Sequence, residues 1–446
     1  MKKNKILMLL CGLMALLVFL AACDNGGDDA PAGNDGGGDT AGGTDEASGD
    51  VEELTVWFWD PAFNGVALEH AERVFQETHP NFRLNMVEQT EIDVRLATVL
   101  GAGSYDELPD IILVQDFGFI RDVLVWPNFL IDLTDFDIPW DEFAPGKLAE
   151  STVDGRHFGV PFDQGTVIAA YRVDILEQAG FTIDDLTDVT WNEFIEVGRE
   201  VLAQTGHTLF SHDNSNSDFI LQTVQSAGGS IWHPDGTPYL VGNDILATSI
   251  EIYRQLWDEG ILTTINSWDE YIASFTTGTT AGVLNGVWIL GSVQSAEELS
   301  GYWRMTHVPA LPGIPGASNY SNQGGSSWAI TSNASNPEFA AEFLAATFGG
   351  SVELYEEILP LTGAIGTWLP AADSPVYGEP QEFWGGQSIF EMTVDFSSRV
   401  PGFYRGLHYT ELNGALAVAI VNIVNGGDVQ EELAFAEEAI NFAIGQ

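Results

Sequence analysis

Leu54-Thr55-Val56-Trp57-Phe58-Trp59-Asp60 is the stretch whose reading decides the fold of this 446-residue chain. An apolar run of that length, rich in aromatics and ended by an acid, reads as a strand buried on both faces. Residues 66–78 follow, with Leu68, Ala71, Val74 and Phe75 at helical spacing. Residues 82–87 read as a second strand, 92–100 as a second helix, and 111–114, after Pro109-Asp110, as a third strand. Strands alternating with helices imply βαβ units and a parallel sheet. Such sheets bind ligands outside the carboxyl ends of their strands, which puts Trp59, Asp60, Gln89 and Asp116 on one rim. Trp57 alternates onto the opposite face from Trp59 and is expected in the core.

A second series continues downstream. Gly159-Val160-Pro161 leads into a strand over 166–171 and a helix over 173–179. Residues 191–204 and 243–259 read as amphipathic helices, and 281–284 as a short buried strand ending at Asn285-Gly286. Another strand, 328–331, is reached through Gln323-Gly324-Gly325-Ser326-Ser327. Past Asn336-Pro337 the chain turns helical, and two last helices, about 411–424 and 429–443, flank Asn425-Gly426-Gly427. A body of nearly 400 residues exceeds what one core serves, so two domains are expected; no repeat of solenoid period is present.

The ends speak of address. Lys2, Lys3 and Lys5 precede an apolar run closed by Leu20-Ala21-Ala22-Cys23, the layout of a secretory signal. The small residues before Cys23 resemble a bacterial lipobox, so residues 1–22 are expected to be removed and Cys23 lipidated; an uncleaved anchor would not need that ending. Residues 23–50 are almost wholly Gly, Asp, Ala, Thr, Asn and Ser and form a disordered tether, spanning roughly 30 Å as a flexible chain. Cys11 and Cys23 are the only cysteines, so the mature body is expected to hold no disulfide and no thiolate metal site.

Charge narrows the partners. There are 65 Asp+Glu against 15 Lys+Arg, a formal −50, and beyond Lys5 the single lysine is Lys147. Nucleic acid needs a basic face and is excluded. An excess of acid on this scale fits a salty or alkaline exterior, where repulsion is screened.

Four segments then resemble the family 1 extracellular solute-binding proteins of ABC importers, the group that contains the maltose-binding protein. They are WFWD with AERVFQETHPNFRLNMV; PDIILVQ; GRHFGVPFDQGTVIAAYRVDILEQAGF with TWNEFIEVGREV; and AGVLNGVW with GGSSWAITSNASNPEFAAEFL. The last is most similar to the branch for lactose, arabinose and related oligosaccharides. The resemblance implies an α/β fold of the periplasmic-binding-protein type II: two lobes, each with a central β-sheet flanked by helices, and a ligand cleft between them. It places chain crossings near residues 162–165, 325–328 and 365–370. It assigns 51–161 with 284–325 to the N-terminal lobe, and 162–283 with 326–446 to the C-terminal lobe. The function it implies is capture of a sugar by hinge closure and delivery to ABC permease subunits. The protein would be monomeric, held to the outer membrane face through lipid on Cys23, with no cofactor, no metal and no catalysis.

A sugar presents flat C–H faces ringed by hydroxyls. A site for it needs aromatic platforms, and polar groups in the plane, because a buried unpaired hydroxyl costs about 1–3 kcal/mol. Trp59, Trp232, Trp268 and Trp288 are the candidate platforms. Asp60, Gln89, Asp116, Asp163 and Asn285 are the candidate hydroxyl partners, since each carboxylate accepts from two donors. Gly324 and Gly325, beside Ser326, would let backbone amides approach the ligand. The resemblance adds Arg399 and Tyr404, where the distal lobe reaches the cleft; Leu412 falls near a position that is tryptophan in the family. Three rivals remain in view. A surface glycoside hydrolase would need a carboxylate pair, and no motif singles one out. A calcium- or zinc-dependent adhesin would need ligand spacing that the eight His and the Asp213-rich loop lack. A receptor for a polyol, glycerol phosphate or peptide is the nearest rival.

Overall fold

The computed structural model describes residues 51–90, 92–213 and 216–445. The expected signal, the Cys23 lipidation site and the tether lie outside them. No helix among the described residues is long and apolar enough to cross a membrane.

Seven strands form one sheet. β1 (Glu52–Phe58), β2 (Phe82–Glu88) and β3 (Ile111–Gln115) are parallel, with β1 between the other two. β4 (Thr152–Val153) and β5 (Arg156–His157) make a separate small hairpin. β6 (Val160–Arg172) is the longest strand, and β7 (Phe210–Asp213) pairs with β8 (Leu262–Ile265) apart from the main sheet. β9 (Gly282–Gly286), β10 (Trp303–Thr306) and β11 (Asn322–Ile330) complete the set, in the order β10-β6-β11-β3-β1-β2 with β9 also on β6. The parallel reading therefore holds for β1–β3 only. β11 runs antiparallel to both β3 and β6, and β9 and β10 run antiparallel to β6.

Alternation along β1 builds two layers. Leu54, Val56 and Phe58 face the helix Val66–Gln76, through Ala67, Leu68, Ala71 and Phe75, and also the helices Pro337–Ala346 and Val352–Thr362. Trp57 points the other way, among Ile112, Val114, Phe119 and Ala329, with Arg95 over its ring at 4.5 Å. The distal half of β6 repeats the device. Val167, Ala169 and Tyr171 enter the largest core, with the helices Trp191–Thr205, Asp218–Ser226 and Asp244–Asp258. Ile168 and Ala170 enter another core with Val283, Trp303 and Met305. A 13-residue strand with nearly every residue buried is thus shared between two half-sheets.

Strand pairing locates the passage between them. β6 pairs with β11 through Thr166, which faces Asn322, and with β9 from Val167, which faces Gly286. β11 pairs with β6 alone at Gly325 and with β3 as well from Ser326 onward. The pairing shifts register around Gly324-Gly325 and again before Ser327, opposite Pro161, a position where a strand tolerates proline because of the bulge. Later, Ala364 and Trp368 pack in the β1 layer while Ile365 and Tyr377 pack in the β10 layer.

One expected boundary is corrected. Residues 284–325 were assigned with β1, yet β9 and β10 hydrogen-bond to the distal half of β6, and Val287, Leu290, Val308 and Leu311 pack there. Conversely Trp328, Ile330 and the helix Pro337–Ala346 pack on β1. An apolar strand is equally at home in either half, so its composition carries no information about which neighbour it joins.

Candidate ligand-binding cleft

Two clusters form where β6 and β11 cross. The first is polar and buried. Asp116, just past β3, receives the Lys147 ammonium at 2.5 Å on both carboxylate oxygens, and Lys147 is 5% exposed. Asp163, on β6, accepts from the Ser326 amide at 2.8 Å and from its hydroxyl. Gly325 has φ +101°, and a Cβ there would overlap the Asp116 carboxylate; only glycine lets the backbone pass so near a charge. Asp116, Asp163, Gly325 and Ser326 are therefore brought together, and Lys147 joins them. Burial pushes the Asp163 carboxyl up to about 6, against the pull of Lys147 and Ser326 and with Asp116 adding to the rise. Burial likewise raises Asp116, opposed chiefly by Lys147, and raises Glu150, with Asp116 reinforcing the effect.

The second cluster is aromatic. Trp268 and Trp288 lie 5.7 Å apart, tilted by 38°, and Tyr271 is 5.4 Å from Trp268. The Trp288 indole N–H donates to the Gln323 carbonyl at 3.2 Å, and a Cβ on Gly324 would lie 3.7 Å from that nitrogen. Asn285 donates to the Tyr271 hydroxyl at 2.9 Å, and its own side-chain oxygen accepts from the Gly286 amide at 2.8 Å. The Gln323 side chain donates to Asp218 at 3.0 Å and accepts from Gln222 at 2.5 Å. Asp218 is raised by burial, with Gln323 and Arg405 opposing. Trp268 is 47% exposed and Trp288 half-buried, so the indole pair presents ring surface beside in-plane amide and carboxylate groups.

The remaining expected residues are dispersed. Trp59 is half-buried above a hollow of about 10 Å³ lined also by Gln115, Phe117, Arg121 and Asp122, room for about one water. Asp60 caps the turn Pro61–Gly65, accepting from the amides of Ala62 (2.8 Å) and Phe63 (3.2 Å), so one oxygen of its carboxylate is already used. Gln89 donates its amide to Phe58 at the end of β1 and lines a shallow hollow of about 430 Å³ with Glu88, Thr90, Val94, Arg95 and Glu107; that hollow does not include the aromatic cluster. Trp232 is corrected: it is 3% exposed in the largest core, and a Cβ on Gly406 would press on its ring at 2.8 Å. Glycines before a tryptophan mark tight packing as readily as a cleft. Arg399 is also corrected: it is exposed, bound to Asp395 at 2.8 Å and to the Tyr320 hydroxyl at 2.9 Å. Tyr404 is 53% exposed. Leu412 is fully buried and supplies no platform.

The two walls meet. The Phe117 ring, after β3, lies 5.1 Å from that of Tyr409 at the start of the helix Tyr409–Val424, and Arg121 donates to the Thr410 hydroxyl at 3.2 Å. Lys147, Tyr271, Gln323 and Arg405 were not among the expected residues. A single lysine in a body so rich in acid was a signal for the first of them; nothing in the local sequence marks the others.

Two half-sheets joined by crossing strands, with a polar hinge and an aromatic wall between them, define a two-lobed receptor of the periplasmic-binding type II architecture. Residues 73–380 match the model of the bacterial extracellular solute-binding proteins, and the chain belongs to that family, whose members work outside the cytoplasm. It is 35% identical to the lactose-binding protein of Rhizobium radiobacter, over 86% of this chain and 92% of that one. It is 24% identical to the arabinooligosaccharide-binding protein of Halalkalibacterium halodurans, over 79% and 80%. Among solved structures, the Bifidobacterium animalis subsp. lactis ABC-transporter-associated binding protein in complex with β-1,6-galactobiose superposes with TM-score 0.74 at 20% identity, covering 88% of this chain and 97% of that one. The GacH receptor of Streptomyces glaucescens superposes at 0.75 with 15% identity, covering 87% and 97%.

Proposed function

We propose that this chain is the substrate-binding protein of an ABC importer for an uncharged disaccharide or short oligosaccharide, of the lactose or arabinooligosaccharide kind. The observation that carries the reading is the tilted Trp268–Trp288 pair beside Asn285, Gln323 and Asp218. Indole faces match the apolar faces of a sugar ring, and the flanking amides and carboxylate can satisfy its hydroxyls. The 35%-identical lactose-binding relative supports the ligand class. A ligand held by both walls favours the closed arrangement by its differential affinity alone, and permease subunits in the membrane would read that closure. Cys23 after Leu20-Ala21-Ala22 would carry the lipid, and the Gly/Asp-rich stretch behind it would give the receptor its reach. A hydrolase is disfavoured because Asp116 and Asp163 are engaged by Lys147 and Ser326. A thermal-shift screen of mono- and oligosaccharides tests the reading. Lactose, galactobiose or an arabinooligosaccharide should raise the melting temperature and be recovered intact. Cleavage of the sugar, or no shift with any of them, would overturn it.

A further inference from the structure

The segment that reaches across the cleft carries a guanidinium that no carboxylate claims. Arginines elsewhere in this acid-rich chain are commonly neutralised in ion pairs: Arg121 with Asp122, Arg172 with Asp174, Arg199 with Glu259, Arg254 with Glu251 and Arg399 with Asp395. Arg405 is not. Among the described residues its one hydrogen bond is a long one, 3.3 Å to the Tyr409 hydroxyl, and its charge rests 5.3 Å from the Tyr409 ring and 5.7 Å from that of Phe403. Tyr409 in turn packs on Phe117 of the opposite wall. Arg405 is also near enough to Asp116 and Glu150 on one wall, and to Asp218 on the other, to hold all three carboxyls below where burial alone would set them. It thus sits between walls, clamped on aromatic rings, with most of its five donors unspent.

We propose that Arg405 is a ligand-contacting, specificity-determining residue: its planar fork donates to neighbouring hydroxyls of one saccharide unit, and Asp218 and Glu150 beside it reject a sugar that carries its own carboxylate. The inference rests on the sugar reading above and names the residue that enforces an uncharged ligand. A guanidinium suits the task better than an ammonium because its donors are fixed in a plane and its charge persists at any working pH. The acids around it supply the repulsion, and an acidic sugar would have to bring a further negative charge into a half-buried space.

The test is calorimetric titration of the full-length wild type, Arg405→Lys and Arg405→Gln with lactose, β-1,6-galactobiose and lactobionate, alongside melting temperatures without sugar. The wild type should bind one of the neutral sugars roughly 100-fold more tightly than lactobionate, and Arg405→Gln should lose about 30-fold toward that sugar. Arg405→Lys should lose about 10-fold, since it keeps the charge but not the fork. Melting temperatures without sugar should stay within about 2 °C, because the residue makes few contacts of its own. Affinity unchanged in either variant, or lactobionate bound as tightly as lactose, overturns the inference. A wild type that binds none of the three overturns the sugar reading first, and this proposal with it.

Discussion

The polar cluster at the hinge and the aromatic pair beside it were both expected to face ligand, and they differ in one respect. Asp116 and Asp163 spend their acceptors on Lys147 and Ser326, all four residues being buried. Trp268 and Trp288 spend only an indole N–H on the chain and leave ring surface uncovered. A polar side chain that is already satisfied gives a ligand little to bond with, whereas an aromatic ring can be anchored by its edge and still offer its face. The hinge cluster is therefore a fixed joint, and the indole pair is the wall that receives a sugar.

Experiments that set one cluster against the other can break that distinction. Lys147→Ala should be the most damaging change, lowering stability by about 3–5 kcal/mol because Asp116 is left buried without its partner, as read by chemical denaturation. A loss under 1 kcal/mol would mean that the joint is not held by charge. Next comes the pH dependence carried by Asp163. Its carboxyl is raised to about 6 in the folded protein, above its unfolded value near 3.9. The stability it contributes is therefore fully present below about pH 4 and lost as pH rises through about 6, some 2–3 kcal/mol in all. Asp163→Asn keeps an acceptor for Ser326 but removes the titration, so its stability relative to wild type should climb across that window. A flat difference would sink the assignment. Gly325→Ala, forced into a left-handed backbone against the Asp116 carboxylate, should cost about 2 kcal/mol of stability. On the other side, Trp288→Ala should leave the melting temperature nearly unchanged and weaken sugar binding at least tenfold, about 1.4 kcal/mol. Trp268→Ala, half-exposed at the rim, should weaken it about threefold.

How far the sequence could be read follows from the kind of signal each part carries. β1, β2, β3 and the helices between them are legible because burial imposes a period on the residues. The helices Trp191–Thr205 and Val429–Ala443 were placed within a residue of their ends for the same reason, and because Thr190 and Asp428 cap them. β11 was read six residues too short, since Asn322 to Ser327 look like a turn; a bulged strand of glycine and serine has no period to detect. The membership of β9 and β10 was misread because pairing partners are set by long-range topology, which composition does not record. Within the site, Trp288 and Asn285 were legible from their place at the end of a buried strand. Trp232 was not separable from them, because an indole in a core and an indole on a wall follow the same local residues. Arg405 escaped notice beside Arg399 and Tyr404: in an irregular loop, no rule states which of three neighbours points inward.

Lys147 has a consequence beyond the hinge. It is the single lysine of the described residues, and its amine is enclosed against Asp116. The folded body therefore shows the outside world no side-chain primary amine. Acylating dyes, aldehyde fixatives and amine-directed crosslinkers should pass it by while it stays native and mark it once it unfolds, so the extent of labelling would serve as a direct gauge of how much of the receptor has lost its fold.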